Sequence, residues 1–126
     1  MIHDKDYLLR QVQSFSEFLS KLLLGKNEGT PTEEKLVIET SIKNVFKIPR
    51  EEVNQMTLEE QIAWTKDLDL NKQIAFYELL GHLNYFQFKE NGDNAYKEKA
   101  RKFYQLWLEK SQIFSLPVNA RIQELS

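Results

Sequence analysis

Apolar residues recur along this chain at three- and four-residue intervals, and no segment shows the sustained alternation of a strand. Tyr7, Leu8, Val12, Phe15, Leu19, Leu22 and Leu23 form a first stripe. A helix is therefore expected from Asp4, a suitable N-cap, to about Leu24, where Gly25 supplies the stop. Leu9, Phe18 and Leu24 lie beside this stripe and widen it beyond one narrow seam.

Lys26 to Thr32 is rich in Gly, Asn, Thr and Pro, a loop composition. Thr30 and Glu33 have capping-box spacing, and Pro31 suits a first helical position. The helix they open carries Ile38, Ile42, Val45 and Phe46 on one face. Leu36-Val37-Ile38 has strand propensity, but the start signal and the spacing favour a helix. Pro49 ends that segment and opens a short turn of helix with Val53 and Met56. Thr57 and Glu60 repeat the capping-box pair ahead of a helix with Leu58, Ile62 and Trp64.

Asp67 or Asp69 then caps the first of two long helices, which the turn Asn91-Gly92-Asp93 separates. Together they predict an antiparallel hairpin over about residues 69–114. On the first of them, Leu70, Ile74, Tyr77, Leu80, Tyr85 and Phe88 fall on one side. Phe76, Leu79, Leu83 and Phe86 fall on the other, and only a thin stripe with Glu78, His82 and Lys89 is polar. A helix apolar nearly all round is sandwiched between layers. It is expected to be central, between the second hairpin helix and the N-terminal helices. Gly81 inside it costs about 1 kcal/mol relative to Ala, so its expected task is to admit a neighbouring helix closely. The second helix presents Ala100, Phe103, Tyr104 and Trp107 to the core, and Pro117 opens a last short helix with Val118, Ile122 and Leu125.

Leu80-Gly81, Gly92-Asp93, Ala100, Phe103-Tyr104 and Trp107 resemble a tetratricopeptide (TPR) helical hairpin. There a Leu-Gly pair marks the first helix, Gly-Asp the turn, and Ala with an aromatic the second helix. The intervals from Gly81 to Gly92 and from Gly92 to Ala100 each exceed the repeat by about one helical turn, so the hairpin is an elongated, divergent relative. One copy covers about a third of the chain, whereas arrays need about three or more repeats. The resemblance implies TPR-like packing and a surface for other proteins. The whole chain is also similar to a bacterial family of small all-helical proteins of unknown function, in Asp6–Gln11, Leu19–Leu23, Phe114-Ser115-Leu116 and Arg121–Leu125. That likeness implies no activity.

The 126 residues suit a single all-helical domain over 1–126. With 41% apolar and 29% charged residues, and eight Phe, five Tyr and two Trp, the chain is ordinary globular material with a substantial core. Net charge is −2, without the basic excess of a nucleic-acid-binding domain. No cysteine is present, which removes disulfides, thiolate metal sites and thiol nucleophiles and points to a reducing cytoplasm. The N-terminal stretch has no unbroken apolar run of a signal peptide, and no segment approaches the ~18 apolar residues of a membrane span.

Candidate chemistry is sparse. Glu78 and His82 stand at i, i+4 and could share a metal, but two ligands are too few, and the other histidine, His3, sits at the terminus. A surface hydrogen bond or ion pair on the polar stripe is the expectation. Lys97, Lys99, Arg101, Lys102 and Lys110 lie mostly opposite the aromatics of their helix, so they form a solvated face rather than a nucleic-acid surface. The segment Glu28–Asp69 holds ten acidic against five basic residues, a charge balance that could draw subunits together or recruit a basic partner. Glu33-Glu34, Glu51-Glu52 and Glu59-Glu60 all stand in first helical turns, where the helix dipole accounts for them. No nucleophile elbow, phosphate loop or dinucleotide fingerprint occurs.

The expectation is an all-α bundle of five to seven helices built around a TPR-like hairpin. Its expected function is a non-enzymatic protein-interaction or adaptor module able to self-associate, without cofactor or metal. Its partner would be another protein or a second copy, with no nucleic acid and no membrane insertion. Leu9, Phe18 and Leu24 are the expected interaction surface. The alternative is a small-ligand regulatory domain with a cleft between the central helix and the N-terminal helices.

Overall fold

In the computed structural model, which describes residues 4–126, seven helices follow one another and the described residues contain no strand. They are α1 (Asp4–Leu23), α2 (Pro31–Phe46), α3 (Arg50–Gln55), α4 (Leu58–Thr65), α5 (Leu70–Asn91), α6 (Asn94–Ser111) and α7 (Leu116–Leu125). The chain divides into two compact units, one ending at Asp67 and one running from Leu68 to Ser126.

In the first unit, Val12, Phe15 and Leu19 of α1 are buried, as are Ile38, Ile42, Val45 and Phe46 of α2. The helical period selects these faces, and each fully buried Val, Leu, Ile or Phe contributes roughly 1.5–3 kcal/mol. The side chain of Asp4, the expected cap of α1, lies outside the described residues. At the other end Gly25 has φ +70°, its N–H donates to the Leu22 carbonyl, and the Lys26 N–H donates to that of Lys21. This is a Schellman stop, in which glycine tolerates the left-handed backbone. The Thr30 side chain accepts from the Glu33 N–H at 3.2 Å, with Pro31 opening α2. α2 ends before Pro49 is reached, because Lys47 turns left-handed with φ +65°.

The short helices α3 and α4 depart from the apolar pattern. Val53 is buried as expected, but α4 buries Gln61 and Thr65 while Leu58, Ile62 and Trp64 are half-buried. Gln61 is retained there because its Nε2 donates to the Val53 carbonyl at 3.1 Å, and the Thr65 hydroxyl donates to the Ile62 carbonyl at 2.8 Å. Satisfied polar groups can be buried at little cost. The Trp64 ring packs on Phe46 at 5.1 Å between centroids. The Thr57–Glu60 capping box is complete in both directions, at 3.1 and 2.9 Å.

The second unit is the hairpin with α7 appended. Asp69 caps α5 by accepting from the Lys72 N–H, and Gly92 ends it with φ +71°. Asp93 caps α6 after one left-handed residue, so the two helices turn back on each other. Every residue from Leu79 to Tyr85 is buried, as befits a helix apolar on most sides. Ile74, Phe86 and Phe88 are half-buried, and Leu70, at the exposed start, is 57% exposed. Gly81 meets the aromatic ring of Tyr104: a Cβ placed there would lie 2.5 Å from Cδ1 and 2.7 Å from Cε1. The glycine is therefore required by the closeness of α6. Ala100, Phe103, Tyr104 and Trp107 are all buried. α6 stops at Ser111 rather than near Phe114, because Gln112 takes φ +59° and its side-chain amide donates to the Glu109 carbonyl. Ser115 then caps α7 by accepting from the Val118 N–H.

Candidate interaction groove and buried polar cluster

Between α1 and α2 the first unit carries a groove of about 460 Å³. Its floor is the buried Phe15 and Val45 with the half-buried Phe18; its apolar lip is Tyr7 and Val37, exposed at 55% and 39%. Arg10, Gln11, Ser14, Ser41 and Asn44 form a polar rim. Among the described lining residues Arg10 is the single formal charge. The groove arises because α1 and α2 bury apolar faces against each other while Tyr7, Phe18 and Val37 stand to one side of those faces. The volume lies in the ~300–1,000 Å³ range of binding clefts, and an apolar floor with a hydrogen-bonding rim can hold large apolar side chains.

Of the three residues expected to form an interaction surface, Phe18 lines this groove, whereas Leu9 and Leu24 do not. Leu9 is half-buried and Leu24 is 50% exposed. Nine residues along a helix turn the direction by about 180°, so Leu9 and Phe18 flank opposite edges of the buried stripe and share no patch. Tyr7, expected in that stripe, is instead at the groove lip. The contribution of α2 through Val37, Ser41 and Asn44 had no signal in the pattern, since these residues sit on its non-core side.

The second unit holds a buried polar cluster. His82 is 3% exposed, so it does not sit on a solvated stripe as the i, i+4 spacing with Glu78 suggested. Its Nδ1 lies 2.8 Å from the Tyr104 hydroxyl and 3.3 Å from Nη1 of Arg121, itself 8% exposed. A guanidinium only donates, so Nδ1 is the acceptor and the ring proton is on Nε2, which faces Glu78 Oε2 at 3.7 Å. Tyr104 then donates to His82 and accepts from Arg121 Nη1 at 3.1 Å. Burial pushes the His82 pKa below its usual 6.5, Glu78 opposes that shift, and the Arg121 charge adds to it. Burial raises the Tyr104 hydroxyl well above its usual value, which leaves it a fixed neutral donor.

Around this core, Arg121 stacks over Tyr85 at 5.1 Å, and Tyr85 donates to Glu124 Oε1 at 2.5 Å. Lys89 pairs with the other oxygen of Glu124. That pair holds the Glu124 carboxyl below the usual carboxylate range, with Tyr85 helping, and raises Lys89. The cluster thus ties α7 to both hairpin helices. Arg121 was invisible to apolar periodicity, which expected Ile122 in the core of α7; Ile122 is half-buried.

Lys99 also departs from the solvated basic face: it is 7% exposed, with its ammonium 5.2 Å from the centre of the Tyr96 ring. Ile113, Phe114 and Leu116, between and at the start of the last two helices, are exposed at 53%, 77% and 72%. His3 lies outside the described residues. Among the described residues no three His, Asp or Glu side chains are grouped to hold a metal ion, and no helix is long and apolar enough to cross a membrane. Comparison of the chain with protein-family models, curated proteins and solved structures finds no match.

Proposed function

We propose that this protein is a non-enzymatic interaction module whose docking surface is the α1/α2 groove. The observation that carries this reading is the groove itself, with Tyr7, Phe18 and Val37 left accessible beside a polar rim. Its length along α1, from Tyr7 to Phe18, is about 16 Å, enough for two to three turns of a docked helix. Helix-in-groove recognition uses such apolar floors, with side chains at i, i+3/i+4 and i+7 as anchors. The likeness of the hairpin to TPR units supports an adaptor role by analogy. The polar cluster supports the same reading in another way. His82 and Tyr104 are committed to each other and to Arg121, and burial holds both neutral, so they are disposed to fasten α7 rather than to transfer protons.

The test compares Phe18→Glu and Val37→Glu with the off-groove control Leu24→Glu. Each protein is checked for retained helix by circular dichroism, then for self-association and for capture of proteins from a cell extract. Groove variants should weaken one of these associations about tenfold or more while the control leaves it intact. Associations indifferent to both groove substitutions would overturn the reading.

A further inference from the structure

The outward face of α1 carries a charge pattern that complements itself when reversed. Arg10, Ser14 and Glu17 follow one another at four- and three-residue steps, so they stand within about 60° on the helix. Arg10, Ser14 and Glu17 are all exposed, and Arg10 and Ser14 also form the groove rim. If two copies of α1 are laid antiparallel about a point between Gln13 and Ser14, Arg10 of each falls opposite Glu17 of the other. The same reversal brings Tyr7 of each copy to within ~3 Å, along the helix axis, of the partner's Phe18, using a 1.5 Å rise per residue. One register therefore matches Arg10 with Glu17 and also brings together Tyr7 and Phe18 of the groove. The small Ser14 lies at its centre, where two helices approach most closely.

We propose that the occupant of the groove is a second copy of this chain, docked antiparallel through α1 in a two-fold dimer with reciprocal Arg10–Glu17 pairs and Tyr7–Phe18 contacts. This rests on the groove being a docking surface. A two-fold arrangement is the commonest closed assembly, and it makes each contact twice. Among the described residues Glu17 pairs with Lys21 at 3.2 Å, but that pair is exposed on both sides and holds Glu17 on the outward face.

Sedimentation equilibrium on the full chain, with Arg10→Glu, Glu17→Arg and the double exchange, tests the register. The wild type should dimerise. Each single variant should weaken the dimer about tenfold by turning two attractive pairs into repulsive ones, and the double exchange should restore it to within about threefold. Because the chain has no cysteine, Ser14→Cys adds a unique thiol that should form an intermolecular disulfide under mild oxidation. Ser14 is exposed, so this variant keeps the fold. A wild type that is monomeric at all concentrations overturns the proposal, as do a dimer unmoved by single reversals, a double exchange as weak as the singles, and a Ser14→Cys protein that stays uncrosslinked. Groove-dependent capture of a different protein by a monomeric wild type would leave the interaction reading standing while removing the second copy as occupant.

Discussion

Gly81→Ala sets two effects of opposite sign against each other. In an exposed helix the change stabilises by about 1 kcal/mol, because alanine loses less backbone freedom on folding. Here the new Cβ would lie 2.5, 2.7 and 3.2 Å from Cδ1, Cε1 and Cγ of Tyr104. Ordinary contact begins near 3.4 Å, so about 0.9 Å must be found along the hairpin seam. Those atoms are not the loose end of a flexible chain. The Tyr104 ring is fully buried, packs against Tyr85 and His82, and is fastened through its hydroxyl to His82 and Arg121. Overpacking of a rigid site costs typically about 1–3 kcal/mol, occasionally more, so α5 and α6 must part locally and the steric term wins. The rigid, bonded ring puts the cost at the upper end, about 2–3 kcal/mol, so a net loss of about 1–2 kcal/mol is expected. Urea denaturation followed by Trp107 fluorescence in a Trp64→Phe background reads it in the hairpin. A double-mutant cycle sharpens the test. In a Tyr104→Ala background the clash is gone, and Gly81→Ala should become stabilising. If Gly81→Ala is neutral or stabilising with Tyr104 present, close approach of the ring is not what the glycine serves.

Trp107→Ala should cost about 3–5 kcal/mol through lost burial and the cavity it leaves; a loss under about 1 kcal/mol by denaturant titration would contradict its core position. Tyr104→Phe keeps the ring but strips Arg121 and His82 of a shared partner, so a loss of about 1–3 kcal/mol is expected, with α7 amides exchanging faster. Because the folded-state pKa of His82 lies below 6.5, its contribution is complete above pH 6.5. It is lost as pH falls further, where the unfolded chain binds a proton that the folded state refuses, at no more than about 1.4 kcal/mol per pH unit. Denaturation at pH 7.5, 6.5 and 5.5 should show this slope in the wild type and lose it in His82→Gln, while the Glu124 contribution fades at lower pH, below its usual carboxylate range. Thr57→Ala removes the complete capping box of α4 and should cost about 0.5–2 kcal/mol, with increased hydrogen exchange in that helix.

Local rules written in the chain determined the helices and most of their ends. Thr30 with Pro31, the Thr57–Glu60 box, Asp69, and the glycines at 25 and 92 act through bonds to near neighbours, so their effect is legible without the fold. Periodicity likewise selected the buried faces of α2 and α6, because a 3.6-residue helix maps a repeat onto a side. Ends made by non-glycine residues in left-handed conformation, at Lys47 and Gln112, carry no such signature. Gly81 could be recognised as costly, but only packing decided that Tyr104 is what fills its place. Tertiary structure alone decided which polar groups go inside. His82 and Arg121 lie far apart in sequence and become buried because each completes the other's hydrogen bonds with Tyr104. The same is true of the groove. Whether an apolar residue beside a stripe is covered depends on the rotation and spacing of the neighbouring helix, and those separate Phe18, at the groove, from Leu9 and Leu24.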